Sequence, residues 1–77
     1  MKTALHLLGL AIKAQRSRLG LSQEQLADRC GFDRTYISML ERGKRNPSLL
    51  NLLRLAEGLE TPVSKLARVC DGAKTNR

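Results

Sequence analysis

The sequence predicts an all-α protein of five helices in one small domain. Three observations carry this. Apolar residues recur every three or four positions along nearly the whole chain, and no alternating strand pattern is present. Gly20, Gly31, Gly43 and Gly72 each follow a helical stretch, where a left-handed C-cap favours a residue without Cβ. The chain has 77 residues, so one domain is the ceiling. A domain of this size buries a modest core and leans on regular helix packing, a staple or a partner subunit.

The first helix is expected from about Thr3 to Leu19, with Leu5, Leu8, Ile12 and Leu19 on its apolar seam. Arg16 falls on that same seam. The second helix starts on a capping box. Ser22 is its N-cap and Gln25 its N3 residue, with Leu21 and Leu26 placed to staple the entry. Its buried side is Leu26, Ala27 and Cys30. The third helix follows a tight turn, with Asp33 as N-cap and Phe32 and Ile37 repeating the staple spacing. Its core side is Ile37, Leu40 and Glu41. Arg34, Thr35, Ser38 and Arg42 share the opposite side, and Gly43 ends it. A basic loop, Lys44-Arg45-Asn46-Pro47, leads into a fourth helix that begins near Pro47 or Ser48 and runs to about Gly58. Leu49, Leu52, Leu53 and Ala56 are expected inward. Thr61-Pro62 restarts the chain into a fifth helix, with Val63, Leu66 and either Ala67 or Val69 facing in. The domain is expected to span residues 1–70, with a polar, frayed tail over 71–77.

Charge narrows the function. The chain carries a net charge of +7. So basic a balance in so short a chain points to a polyanion, either nucleic acid or an anionic membrane surface. Aromatic residues make up 3 % of the sequence, with no Trp, which argues against a stacking platform for single strands. Cys30 and Cys70 are far apart, form no CxxC pair, and share the chain with a single histidine, His6. No zinc site or disulfide framework can be built from them. They read as small buried hydrophobes of a reducing, cytoplasmic protein. The apolar stretch Ala4–Ile12 has the look of a short secretory core. It is followed at once by Lys13, Arg16 and Arg18, and is read as the first helix instead. It is far too short to cross a membrane.

The second helix, the turn at Gly31 and the third helix form a helix-turn-helix unit. A short helix with an open N-terminus can enter a major groove about 12 Å wide. Its first-turn residues then reach base edges. Here these are Arg34, Thr35 and Tyr36, followed by Ser38. Arg offers two donors to guanine, Thr and Ser offer hydroxyls, and the Thr methyl suits thymine. None of the four has an evident core role in the sequence. Arg34, Arg42, Lys44 and Arg45 cluster around this surface, partly offset by Asp33 and Glu41, and suit phosphates. Gln23 and the amides opening the second helix form a second phosphate anchor.

Arg16 and Glu41 both fall on core-facing sides. An unpaired buried charge is costly, so each needs a partner. They are expected to pair with one another and hold the first helix against the third. The alternative is that both snorkel to the surface.

The stretch from Arg16 to Leu59 resembles the Xre/Cro-type helix-turn-helix regulators, the phage-repressor-like fold. The resemblance rests on the Ser-Gln-x-x-Leu-Ala run, the Tyr-Ile-Ser core of the third helix and the Glu-Arg-Gly-x-x-x-Pro-Ser exit. Asp-Arg-Thr-Tyr-Ile-Ser and Arg-Gly-Lys-Arg-Asn-Pro-Ser are most similar to the controller proteins of restriction–modification systems. The resemblance implies five helices and a phosphate contact from Gln23. It implies base reading by Arg34 and Thr35, and groove contacts from Tyr36 and Ser38. It implies phosphate contacts around Arg42, Lys44, Arg45 and Asn46, supports the Arg16–Glu41 pair, and implies a twofold dimer through the last helix. One departure stands out. The family often has Gly where Glu60 stands, and here Gly58 precedes it, which implies a different entry into the fifth helix.

Two functions follow. The first is a homodimeric transcriptional regulator binding double-stranded DNA at an inverted repeat, with no cofactor and no small-molecule ligand. The second is an antitoxin-type interaction module, for which Leu50, Leu55 and the Val63–Cys70 face would meet a toxin. An enzyme is disfavoured, since no nucleophile–base set, metal cluster or glycine-rich phosphate loop is present.

Overall fold

A computed structural model describes residues 3–73. Five α-helices follow one another: α1 Ala4–Arg18, α2 Gln23–Cys30, α3 Arg34–Glu41, α4 Leu49–Gly58 and α5 Val63–Arg68. There is no β-strand among the described residues. The core is one cluster centred on Ile12, Leu26, Ile37, Leu40, Leu55 and Leu59. Helices α1 and α2 both pack on α3, α4 packs on α2, and α5 closes the far side against α1 and α4. No helix is long and apolar enough to cross a membrane.

Local chemistry fixes the boundaries. Thr3 caps α1 by accepting from the His6 amide. Ser22 and Gln25 exchange both bonds of the capping box on α2. Ser48 accepts from the Asn51 amide and opens α4. Asp33 differs from expectation. Its backbone is extended as an N-cap requires, but its carboxylate makes no capping bond, so the first-turn amides of α3 lack that local acceptor.

Gly9 lies in the middle of α1 and is buried. A Cβ there would sit 2.5 Å from the Leu40 carbonyl oxygen and 2.6 Å from that of Glu41. Only glycine lets α1 approach the end of α3 so closely.

The inner face of α4 is corrected. Leu49 and Leu53 were expected inward, yet Leu49 is 71 % exposed and Leu53 43 %. Leu52 and Ala56 face the core as expected, and Leu55 and Leu59 take the places of the other two. A leucine-rich helix offers two overlapping seams, and the seam of Leu55 and Leu59 is the one α2 and α5 cover. Leu55 is fully buried, so it cannot contribute to a partner surface. On α5, Leu66 is buried and Val63 half-buried, while Ala67 and, just after the helix, Val69 are exposed. Cys30 is buried and Cys70 half-buried; both are free thiols.

The α4–α5 turn explains the displaced glycine. Glu60 takes the left-handed conformation, with φ 54°. The Thr61 amide donates to the Ala56 carbonyl and the Glu60 amide to that of Glu57. A glutamate therefore fills the place that glycine ordinarily takes in a Schellman motif. Arg29 holds it, donating to the Glu60 carboxylate at 2.8 Å and to the Gly58 carbonyl at 3.2 Å. Gly58 has another task. A Cβ on it would stand 2.5 Å from Cys30 Sγ, so it lets α4 close on α2. Val69–Gly72 continue in turns after α5; of the tail expected over 71–77, residues 74–77 lie outside the described residues.

Candidate nucleic-acid interface

Helices α2 and α3 are joined by a short turn whose geometry is set from both sides. Gly31 is left-handed, with φ 75°, and the Phe32 amide donates to the Ala27 carbonyl at 2.9 Å. From α4, Arg54 reaches over this turn. Its Nη2 donates to the Cys30 carbonyl at 2.7 Å and to the Gly31 carbonyl at 3.3 Å, while its guanidinium lies 4.4 Å from the Phe32 ring centre. Side chains that cap the last carbonyls of a helix in this way are favoured to be cationic. Spacing alone assigns Arg54 no such task, because nothing local links it to a turn on a different part of the chain.

Helix α3 divides cleanly. Ile37, Leu40 and Glu41 are buried, Arg34, Thr35 and Arg42 are exposed, and Ser38 is half-buried. A paired charge fixes the inner face. Arg16 Nε donates to Glu41 Oε2 at 2.6 Å and Arg16 Nη2 to Glu41 Oε1 at 3.0 Å. Arg16 Nη1 donates to the Leu21 carbonyl at 2.8 Å, and Gln23 Nε2 donates to Glu41 Oε1 at 3.0 Å. These bonds tie α1, the α1–α2 loop and the start of α2 to the end of α3. The bond to Glu41 raises the Arg16 pKa above its ordinary value, outweighing the opposing effect of burial. Neither side chain snorkels: they are 12 % and 4 % exposed.

Two consequences bear on charge. Glu41 is committed inward and does not offset the surface cations beside α3. Gln23, half-buried at the opening of α2, uses one amide hydrogen on Glu41 and keeps a second for another acceptor. Arg42, Lys44, Arg45 and Asn46 lie in and beside the α3–α4 loop, and all four are open to solvent. That loop leaves α3 through a Schellman motif, with the Lys44 amide donating to the Met39 carbonyl at 2.8 Å and the Gly43 amide to that of Leu40 at 3.1 Å.

Tyr36 departs from the sequence reading, which gave it no core role. It is half-buried and packs against the core cluster. Its ring meets Phe32 edge-on at 4.9 Å, Arg45 lies 5.2 Å from its centre, and Asn51 Nδ2 donates to its hydroxyl at 3.0 Å. The surface around it is an open depression of about 490 Å³, lined by Thr35, Tyr36, Met39, Arg45 and Asn51 among others. Asn51 escapes a reading of α3 alone because it sits on a different helix. Thr35 and this depression thus meet the basic loop at Arg45, while Gln23 is tied to the inner face of α3 through Glu41. No cluster of His, Cys, Asp and Glu that could hold a metal exists among the described residues.

A helix-turn-helix whose second helix turns a polar, cationic face to solvent defines the class. The chain belongs to the helix-turn-helix family, which matches it over residues 12–70. The likeness to controller proteins expected from its motifs is found. The chain is 44 % identical to the Control protein C.MunI of a Mycoplasma species over 54 residues, covering 70 % of this chain and 73 % of that one. It is similar in structure to the restriction–modification controller protein C.AhdI from Aeromonas hydrophila, with 44 % identity and a TM-score of 0.79. That match covers 80 % of this chain and 94 % of C.AhdI. A third likeness is to the controller protein C.Esp1396I, solved as a tetramer in complex with its natural 35 base-pair operator. There the identity is 32 % and the TM-score 0.80, covering 92 % of this chain and 93 % of the other.

Proposed function

We propose that this chain is a transcriptional regulator of the controller-protein kind, which binds double-stranded operator DNA as a homodimer. The observation that carries the proposal is the two-faced α3. Its inner face is held by the Arg16–Glu41 pair and the core, and its outer face presents Arg34, Thr35 and Ser38. Inserted in a major groove, Arg34 would donate to guanine O6 and N7, while Thr35 and Ser38 would meet base edges through their hydroxyls. Tyr36 would stand at the edge of that surface. Gln23, Arg42, Lys44, Arg45 and Asn46 would hold phosphates and set the register. The likeness to C.Esp1396I, a protein solved on its operator, supports the same mode.

The dimer would form through α5 and the turn after it, where Val69 is 40 % exposed, and would bring two α3 helices to half-sites roughly 34 Å apart. The protein would act in the cytoplasm, without enzymatic activity, cofactor or small-molecule ligand. Its level, through operator occupancy, would set its effect. The domain would end near residue 70, where the family match also ends.

The test is selection of bound sequences from random duplex DNA. An enriched inverted repeat is expected. A flat outcome, with an unrelated protein co-purifying, would favour the antitoxin-type module instead. On the enriched duplex, Arg34→Ala should cost about 1–3 kcal/mol and relax preference at one position per half-site. Arg45→Ala should weaken binding to all sequences and reduce the salt dependence. Unchanged specific binding by Arg34→Ala at moderate salt would refute the assignment of α3 as the reading helix.

A further inference from the structure

Asn51 is not among the groups assigned to the DNA, yet it makes a bond whose direction matters. It occupies the third position of α4, where Ser48 accepts from its backbone amide and fixes it. From there its side-chain Nδ2 donates to the Tyr36 hydroxyl at 3.0 Å. A phenolic hydroxyl can donate once and accept. Its proton prefers the plane of the ring, which leaves two positions. Asn51 approaches the oxygen as a donor, so the Tyr36 proton must point away from it. No acceptor for that proton is present among the described residues. The ring itself cannot swing freely, because Phe32 meets it at 4.9 Å and Arg45 covers it at 5.2 Å.

We propose that Asn51 is a positioning residue for DNA recognition: by donating to the Tyr36 hydroxyl it makes Tyr36 face the DNA as a hydrogen-bond donor. This rests on the placement of α3 in the groove proposed above. The complementary group is an acceptor, either a phosphate oxygen or a base-edge acceptor such as guanine O6 or thymine O4. A donor at this point rejects the exocyclic amino groups of adenine and cytosine.

The test is a double-mutant cycle on an operator duplex enriched by the selection described above, with binding read by fluorescence anisotropy. Tyr36→Phe removes the donor and should weaken binding roughly tenfold, the scale of one hydrogen bond to a charged or well-oriented acceptor. Asn51→Asp puts an acceptor where the donor was, so the Tyr36 proton turns inward. Its loss should include the roughly tenfold effect of Tyr36→Phe, plus a uniform loss from the added negative charge. In a chain already carrying Tyr36→Phe only the uniform part should remain, leaving a coupling of roughly tenfold. Asn51→Leu does not reverse the proton and should cost less than Asn51→Asp. A purely structural Asn51 would give the same loss whether or not Tyr36→Phe is present.

Equal losses in both backgrounds, with Tyr36→Phe itself weakening binding, would overturn this inference and leave the DNA reading standing. A silent Tyr36→Phe alongside an effective Arg34→Ala would also overturn it, while keeping α3 as the reading helix. Repeating the selection with Tyr36→Phe separates the two acceptors. Lost preference at one position marks a base edge, and a uniform loss marks a phosphate.

Discussion

Removing Arg16 is the sharpest test of how α3 is held. In Arg16→Met the Glu41 carboxylate loses its two bonds at 2.6 and 3.0 Å and keeps only the one from Gln23. The carboxylate belongs to a side chain 4 % exposed, so water cannot readily replace the guanidinium. Breaking a buried pair by deleting one partner typically costs about 3–5 kcal/mol. Whole-domain stability at about 0.05–0.15 kcal/mol per residue comes to roughly 4–12 kcal/mol here. Arg16→Met should therefore consume a large fraction of the stability. Urea titration followed by far-ultraviolet circular dichroism measures this, read as a shift in midpoint at constant slope. The double variant Arg16→Met/Glu41→Leu removes both charges and should recover most of the loss, since an apolar pair of similar volume is often neutral or better. Two outcomes would refute the reasoning. One is a single-variant loss under about 1 kcal/mol, the value of an exposed ion pair. The other is a double variant no more stable than Arg16→Met.

Four further effects follow from the packing. Gly58→Ala should lower the melting temperature, because overpacking against Cys30 Sγ costs about 1–3 kcal/mol against a gain of up to about 1 kcal/mol in helix propensity; adding Cys30→Ala should restore it. Arg54→Met should cost about 1–3 kcal/mol by uncapping Cys30 and Gly31 and exposing the Phe32 face, and thermal denaturation measures it. Burial raises the pKa of both thiols, so access decides between them, and a maleimide at neutral pH should modify half-buried Cys70 ahead of buried Cys30. Because the raised thiol pKa favours the protonated form in the fold, Cys30 contributes a loss of stability as pH rises above the unfolded thiol's value, and alkaline denaturation should ease in Cys30→Ala.

Local signals were legible, and contacts between distant segments, the Arg16–Glu41 pair apart, were not. The capping box of Ser22 and Gln25, the glycines after α1, α2 and α3 and the buried faces of α2 and α3 can be read from spacing alone. The side of α4 could not. Its leucines at 49, 50, 52, 53 and 55 support more than one seam, and the choice depends on where α2 and α5 lie. The facing of Arg16 and Glu41 followed from the cost of burying charge, since both stood where apolar residues belong. The core contact of Tyr36 was missed because an aromatic between polar neighbours reads as surface. Its partners Phe32, Arg45 and Asn51 come from a turn, a loop and another helix. Gly9 carried a usable hint, as glycine inside a helical pattern often marks a close approach. Glu60 carried none, because a glutamate does not announce a left-handed turn.

The contact at Gly9 bears on how such a protein can change its preference. Where two helices meet through side chains, substitutions can tilt one against the other by small steps. Here the backbone of α1 rests on the last carbonyls of α3, with no side chain between them to resize. The angle at which α3 leaves the domain is thus fixed like a stylus in its holder, and under the proposed function variation would fall to the residues it carries. Exchanging residues 34, 35 and 38 for those of a relative with glycine at the same place should carry that relative's operator preference across. The same exchange in a Gly9→Ala background should not.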